Sequence, residues 1–236
     1  MSLFFGLRYV LSHFIPERIP IGLDFQQVIQ EKVEGDSSEN IKVLPEELNL
    51  EAPFYSQAPF ADWAFPWQEA CEEASILLAA NVYQDHEWTR EEFNEEILKM
   101  VDWQEQRFGT YLDTTASQVQ EILTDYLHLD SIMHENPTFE DIQKILNEGH
   151  FIVMFFSGKQ LDNPNFKNGG PLYHAVLIKG YKKNQRVITH DVGTRKGENY
   201  VYSWKTLQYA MHDFATPIES GAKRMLEILP PENFVP

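Results

Sequence analysis

The period of the apolar side chains changes about two thirds of the way along this sequence, and that change limits the folds open to it. Before the change, apolar residues recur at helical spacing, and Thr89, Thr115 and Thr138 are suited to cap the helices that follow them. We predict four helices, over residues 69–83, 89–106, 115–127 and 138–149. After the change come five apolar runs of strand length, over residues 150–156, 173–181, 186–191, 199–203 and 224–229. Helices followed by antiparallel strands predict an α+β fold rather than a doubly wound sheet.

The composition divides the chain near residue 49. Residues 1–49 read as an N-terminal arm and an acidic linker, and residues 50–236 have the apolar content of one folded domain. The net charge is −17, from 36 acidic and 19 basic residues, so we expect no nucleic-acid partner, since phosphate binding needs clustered cations. No apolar run reaches the ~20 residues that span a membrane. The apolar start, residues 1–14, lacks a small-residue cleavage site, so it is not predicted to be a signal peptide.

The chain has one cysteine, Cys71, so it can form neither an internal disulfide nor a metal cluster with several thiolate ligands. Cys71 lies at the predicted start of a helix, where unpaired amides and the positive end of the helix dipole favour an anion. The pKa of a thiol in such a position can fall from about 8.5 to roughly 3.5–7.5, although the charges of Glu72 and Glu73 oppose that effect. Cys71 is therefore a candidate nucleophile, with a buried core cysteine as the alternative.

A nucleophilic thiol needs a base, and His174 is the candidate among eight histidines because it opens an apolar strand at the rim of its face. The next predicted strand forms a hairpin with it and brings Asp191 beside its start. Asp191 can orient the imidazole through the Nδ1 hydrogen. His190 competes for this place. Neighbouring residues of a strand point to opposite faces, so only one of His190 and Asp191 can face His174. A satisfied core histidine and a turn-forming aspartate are the alternative interpretations.

Four separated motifs resemble the bacterial C39-like peptidase family, which has the papain-like cysteine peptidase fold. They are Pro53-Phe-Tyr-Ser-Gln57, Cys71-Glu-Glu-Ala-Ser75, His174-Ala-Val-Leu and Asp191, in family order within residues 50–229. The resemblance implies a catalytic Cys71 at a helix N-terminus, packed on an antiparallel sheet that carries His174 and Asp191. It also implies that Gln57 donates to the oxyanion, with Gln68 as a rival nearer the cysteine. Val192 and Glu72 depart from the proline and glycine that the family often has at these positions.

The implied function is that of a cysteine peptidase-type hydrolase, which cleaves a peptide or amide bond through a Cys-His-Asp triad and a glutamine-assisted oxyanion hole. A non-catalytic peptide-binding module and a papain-like amidase or acyltransferase are the alternatives. The expected partner is a peptide or protein substrate, and no metal or cofactor motif is present. The loop over residues 158–171 is predicted to be an ordinary exposed loop, with a wall of the cleft as the alternative. The resemblance favours an extracytoplasmic location if an export segment has been removed, and a cytoplasmic one otherwise.

Overall fold

The structure, a computed structural model, describes residues 44–232 and residue 234. The predicted arm and most of the predicted linker, residues 1–43, lie outside the described residues. The α-helices of the described part are α1 (Cys71–Tyr83), α2 (Arg90–Phe108), α3 (Ala116–Glu121), α4 (Phe139–Asn147) and α5 (Trp204–Ala210). Its strands are β1 (Leu48–Asn49), β2 (Ser131–Glu135), β3 (Phe151–Ser157), β4 (Tyr173–Lys182), β5 (Arg186–His190), β6 (Tyr200–Ser203) and β7 (Arg224–Ile228).

The strands form one antiparallel sheet in the order β2-β7-β3-β4-β5-β6, and the short β1 adds to β4. β4 is the longest strand and pairs with β3 on one side and with β5 on the other. Where β1 pairs with β4, a side chain at Gly180 would lie 2.4 Å from the carbonyl oxygen of Leu48, so only glycine fits. The predicted α+β class is confirmed by this arrangement.

The sheet is covered on both faces, and each face has its own apolar core. Odd-numbered residues of β3, such as Phe155, pack with α1, α2 and α3. Even-numbered residues, such as Met154, pack with α4 and α5. Every residue of β3 is buried, which explains why this strand is a continuous apolar run in the sequence rather than an alternating one.

Three threonines cap the N-termini of α2, α3 and α4. Thr89, Thr115 and Thr138 each accept a hydrogen bond from the amide three residues later, and the side chain at that position returns one, so all three predicted caps are confirmed. The helix that follows Thr115 is α-helical only to Glu121 and continues as a π-helical turn at Ile122–Tyr126. No helix within the described residues is both long and apolar enough to cross a membrane.

Three of these strands and helices, β1, β2 and α5, were not predicted from the sequence. The edge strand β2 lies between α3 and α4, so the prediction that strands occupy only the last third is wrong. Its residues are half-buried or exposed, and its apolar pattern is correspondingly weak. The helix α5 is only seven residues long, and Ser203 caps it by accepting from the amide of Thr206. A segment of two turns is too short for a helical period to be recognised.

Candidate active site

Cys71 is the first residue of α1 and directly follows a 3₁₀ turn at Trp67–Glu69 and the connecting Ala70. This start lies two residues later than predicted and makes the thiol part of the first helical turn. The helix packs on β4, and the backbone N–H of Ala175 donates to the Cys71 sulfur at an N···S distance of 3.4 Å. Cys71 is only 5% exposed. Because Ala175 directly follows His174, this contact brings the two predicted catalytic residues to the same place on β4.

The immediate environment of the thiol opposes its ionisation. Cys71 Sγ donates to Glu72 Oε2 at 2.9 Å. Burial raises the pKa of the Cys71 thiol well above its usual range; the charge of Glu72 and its hydrogen bond raise it further, and the bond from Ala175 lowers it. The expectation that the helix start lowers this pKa is therefore wrong for the arrangement seen here. Burial and an adjacent carboxylate outweigh the helix dipole.

Glu72 and Glu73 are both buried beneath the cysteine. Glu72 Oε1 accepts from the backbone N–H of Thr114 at 3.1 Å, and Glu73 accepts from the side-chain amide of Gln104. Glu73 Oε2 has no hydrogen-bond partner among the described residues. Burial raises the pKa of Glu72 well above its usual range, helped by the charge of Glu73, and burial raises the pKa of Glu73 to about 7. The helix side of the site thus holds two carboxyl groups that are poorly solvated as anions.

His174 and Asp191 form a buried pair on the sheet side of the site. His174 Nε2 lies 2.8 Å from Asp191 Oδ1, and both side chains are almost fully buried. The pairing of Leu177 with His190 carries the residues after β5 alongside the start of β4, as the predicted hairpin requires. The predicted contact through Nδ1 is wrong, because Asp191 lies on the Nε2 side of the ring. Nδ1 is the ring nitrogen that remains for a thiol.

His190, the competitor of Asp191, contacts other groups. Its Nε2 lies 3.1 Å from the carbonyl oxygen of Ala52, and its Nδ1 accepts from the amide of Asn199. Burial lowers the pKa of His190 to about 4. His190 is therefore a satisfied neutral core histidine, and the choice of Asp191 as the partner of His174 agrees with the geometry.

Asp191 is held by residues that sequence reasoning missed. Its Oδ2 accepts from Asn163 Nδ2 at 2.9 Å and from the Tyr202 hydroxyl at 2.5 Å, and its Oδ1 also accepts from the amide of Gly193. Burial alone would raise the pKa of Asp191, but His174, Tyr202 and Asn163 together lower it. The residue is thus kept as a carboxylate although it is fully buried. Neither Asn163 nor Tyr202 has a local sequence signal, because both come from segments distant in the sequence.

The His174 ring lies between an aromatic side chain and a glycine backbone. Phe166 meets it edge-on at a centroid distance of 5.3 Å. A side chain at Gly193 would come within 2.7 Å of His174 Cε1, so the close approach of this loop requires glycine. These two contacts restrict the ring to an orientation that keeps its bond to Asp191.

Cys71, His174 and Gln57 line one cleft of about 950 Å³. The loop over residues 158–171 forms part of its wall through Pro164, Asn165, Phe166, Lys167 and Pro171. The preferred interpretation of this loop as an ordinary exposed segment is therefore wrong. Asn163 anchors the loop beneath the cleft through its bonds to Asp191 and Tyr202.

The two candidate oxyanion glutamines differ in their contacts. Gln57 is buried, and its Nε2 donates to the carbonyl oxygens of Trp67 and Gln68 at 2.9 and 3.0 Å. Its Oε1 is buried without a partner among the described residues. Gln68 is exposed, and its Nε2 donates to Glu69. Gln57 therefore supports the turn that precedes Cys71, and its role at an oxyanion stays a prediction.

A separate group of possible metal ligands lies outside the cleft. Donor atoms of Glu148, His150 and Glu227 lie within 4.8 Å of one another. Glu148 follows α4, His150 precedes β3, and Glu227 lies in β7. The buried Glu227 carboxylate is contacted by His150 at 2.6 Å and by His134 at 2.7 Å. These contacts between the side chains account for the placement of Glu227, and none of the four residues lines the cleft.

Comparison with known proteins assigns the chain to a family. The Peptidase_C39 like family matches residues 49–215. The chain belongs to this family. No curated protein matches the sequence. The matched range includes all four motifs from which the resemblance was recognised, so the predicted C39-like membership is confirmed, and with it a cysteine peptidase-type function.

One solved structure supports the C39-like fold. A structure described as a C39-like peptidase from Bacillus anthracis is 15% identical, with a TM-score of 0.50, and covers 78% of this chain and 98% of its own. Xylellain, a cysteine protease from Xylella fastidiosa, is 12% identical, with a TM-score of 0.47, and the match covers 92% of this chain and 95% of that one. The similarity to the Bacillus structure agrees with the papain-like α+β fold predicted for this C39-like chain.

Proposed function

We propose that this chain cleaves peptide bonds with Cys71 as the nucleophile, His174 as the general base and acid, and Asp191 as the residue that orients the imidazole. The observation that carries the proposal is the pair of contacts on β4. The amide of Ala175 donates to the Cys71 sulfur, and the imidazole of the preceding residue is bonded to a buried carboxylate at 2.8 Å. A thiol, an imidazole and a carboxylate in this order are the parts that acyl transfer requires.

The reaction begins when the thiol exchanges its hydrogen bond to Glu72 for one to His174 Nδ1. His174 takes the proton, and the sulfur attacks the carbonyl carbon of the substrate, whose π electrons move to the oxygen. Collapse of this intermediate breaks the C–N bond as His174 donates its proton to the leaving amine. A water molecule, deprotonated by His174, then attacks the thioester and releases the carboxylic acid and the Cys71 thiol.

The developing oxyanion needs hydrogen-bond donors at the start of α1. The backbone N–H of Cys71 is one candidate, because amides in the first turn of a helix have no intrahelical acceptor. Gln57 is the proposed side-chain donor, and it must exchange one of its two backbone carbonyl acceptors for the substrate oxygen. Gln68 can serve only if it leaves Glu69. Loss of an oxyanion donor costs about 100–1,000-fold in turnover, so single alanine variants of the two glutamines distinguish them.

The test is the rate at which iodoacetamide alkylates Cys71 between pH 4 and pH 9, in the wild type and in His174→Ala. We expect wild-type reactivity at pH 6 that falls by about 100-fold in the variant, since a positioned base contributes at least that factor. His86→Ala removes an exposed histidine outside the cleft and serves as the matched control, with an unchanged rate expected.

Two results would contradict the proposal. A thiol that is silent in both proteins would identify a buried core cysteine and leave a peptide-binding module as the function. A thiol that reacts equally well without His174 would remove the histidine from the mechanism. If the thiol reacts in a His174-dependent manner, a second assay distinguishes a peptidase from an amidase that acts only on small amides. A peptidase should hydrolyse peptides as the wild type and fail to do so as Cys71→Ala.

A further inference from the structure

The cleft differs in charge from the rest of the molecule. The whole chain has 36 acidic and 19 basic residues, yet the cleft is lined by three basic residues, Lys167, Arg195 and Lys196, and by one acidic residue, Glu69. Glu69 already accepts a hydrogen bond from Gln68. The acidic residues Asp62, Asp162 and Glu198 belong to adjoining segments but line no part of the cleft. Cations are therefore concentrated where the substrate would bind.

These cations are available to a ligand. Lys167, Arg195 and Lys196 are exposed, and within residues 44–232 their side chains make no ion pair and no hydrogen bond. Other basic residues, such as Arg107 and Arg224, are each paired with two carboxylates. In an acidic protein, unpaired cations around a concave site focus the field on that site and attract anionic ligands.

The cationic surface continues beyond the cleft. A second hollow of about 470 Å³ shares Ala61 and Arg195 with the cleft and adds Arg90, which begins α2. Its remaining lining includes Phe54, Tyr55 and Phe60. A peptide that leaves the cleft on this side would pass a second guanidinium group and apolar rings. The two hollows together thus offer cationic groups for carboxylates and apolar rings for apolar side chains.

We propose that Lys167, Arg195 and Lys196 form an anion-binding subsite that selects peptide substrates with aspartate or glutamate side chains next to the cleaved bond. The inference rests on the proposed function only in that the occupant is a substrate. Guanidinium and ammonium groups bind carboxylates through charge-assisted hydrogen bonds, and Arg195 can do so with two parallel bonds. A polyanion such as nucleic acid fits less well, because the net charge of −17 would repel its phosphates away from the cleft.

The test measures peptide binding to the full chain carrying Cys71→Ala, so that no cleavage occurs. The probes are two rhodamine-labelled, C-terminally amidated peptides that differ only in having glutamate or glutamine at alternate positions. We expect the glutamate peptide to bind about 10-fold more tightly at low ionic strength, with the preference falling as salt is added. A glutamine peptide with a free C-terminus tests whether a terminal carboxylate serves instead, and we expect it to gain less than the glutamate side chains do.

Two triple variants localise the effect. Lys167→Gln, Arg195→Gln and Lys196→Gln together should abolish the preference. Lys144→Gln, Lys182→Gln and Lys205→Gln remove the same charge at exposed positions that line neither hollow, and should preserve it. Equal binding of the two amidated peptides, binding of neither, a stronger gain from the free C-terminus, or equal losses in both triple variants would overturn the subsite.

The outcome of this experiment is independent of the test of the proposed function. If the wild-type thiol is unreactive but the glutamate peptide binds preferentially, the catalytic proposal is wrong and the anion-binding subsite stands. If Cys71 reacts in a His174-dependent manner but no acidic preference is seen, the catalytic proposal stands and the subsite is wrong.

Discussion

Asp191 and the Glu72–Glu73 pair lie on opposite sides of the candidate catalytic pair, Cys71 and His174. All three carboxyl groups are buried, but they differ in the number of hydrogen bonds they accept. On the sheet side, Asp191 accepts hydrogen bonds from His174, Asn163, Tyr202 and the amide of Gly193. On the helix side, the Glu72–Glu73 pair has fewer donors, and one oxygen of Glu73 has none within the described residues. The pKa of Asp191 is lowered, whereas those of Glu72 and Glu73 are raised by burial.

The difference indicates that a neighbouring positive charge and hydrogen-bond donors, rather than depth of burial, decide whether these buried carboxyl groups keep their charge. The sheet side supplies a permanent negative charge that can stabilise an imidazolium. The helix side supplies carboxyl groups that disfavour both their own charge and that of the neighbouring thiolate. The site therefore holds its thiol protonated until the hydrogen bond to Glu72 is exchanged.

Removing the sheet-side carboxylate should have the largest effect. In Asp191→Ala, the imidazole loses its orienting bond, and we expect the alkylation rate of Cys71 at pH 6 to fall about 100-fold. Asp191→Asn keeps an oxygen for the Nε2 hydrogen but loses the charge, and we expect it also to slow alkylation, which keeps the test valid if the alanine variant folds poorly. Asp102→Ala, at an exposed position of α2, is the control. Unchanged reactivity in both Asp191 variants would show that His174 does not need this partner.

Neutralising Glu73 should change stability in a pH-dependent way. A carboxyl group whose pKa rises on folding, here to about 7, binds its proton more tightly in the folded state. The fold therefore loses stability as the pH rises from the unfolded pKa of about 4.3 to about 7. We expect Glu73→Gln to unfold in urea with about 2 kcal/mol more free energy than the wild type at pH 8, and with little difference at pH 4.5.

The matched control for Glu73 is Glu95→Gln, which neutralises an exposed glutamate of α2. Its effect should stay within about 0.5 kcal/mol at both pH values. A Glu73→Gln protein that is less stable than the wild type at pH 8 would mean that the bond from Gln104 favours the carboxylate more strongly than burial opposes it.

Neutralising Glu72 sharpens the comparison, because its effect on the thiol should be opposite in sign to that of Asp191. The glutamine oxygen can still accept from the Thr114 amide, while its amide nitrogen replaces the oxygen that faces the sulfur. We expect Glu72→Gln to raise the alkylation rate at pH 7 and to move the pH profile of alkylation towards lower pH, because the carboxyl group that raises the pKa of the thiol is gone. A slower thiol in this variant would show that Glu72 assists ionisation by donating its own proton.

The sequence was sufficient for elements whose pattern is local. The capping boxes at Thr89, Thr115 and Thr138 and the apolar runs of β3 and β4 depend on residues a few positions apart, and they predicted helices and strands to within a few residues. The edge strand β2 and the short α5 lack such patterns, because tertiary pairing and a single cap establish them. Family membership was predicted from four short motifs and from their order along the chain.

The details of the candidate site could not be predicted in the same way. Cys71, His174 and Asp191 were predicted as site residues, but the ring nitrogen that meets Asp191 depends on how the loop with Gly193 passes the imidazole. The pKa of the thiol depends on the burial of Glu72, which the helix dipole argument does not include. Asn163 and Tyr202 lie 28 and 11 residues from Asp191, and only the folded sheet brings the three together.

The bond from the Ala175 amide to the Cys71 sulfur also bears on how such chains can change in length. The two residues are 104 positions apart, yet the sulfur touches the peptide unit that directly follows the imidazole. Insertions and deletions in the intervening loops leave this local alignment unchanged as long as α1 packs on β4. Chains whose intervening loops differ in length can therefore keep this contact. Changes in loop length can then alter which substrates enter the cleft.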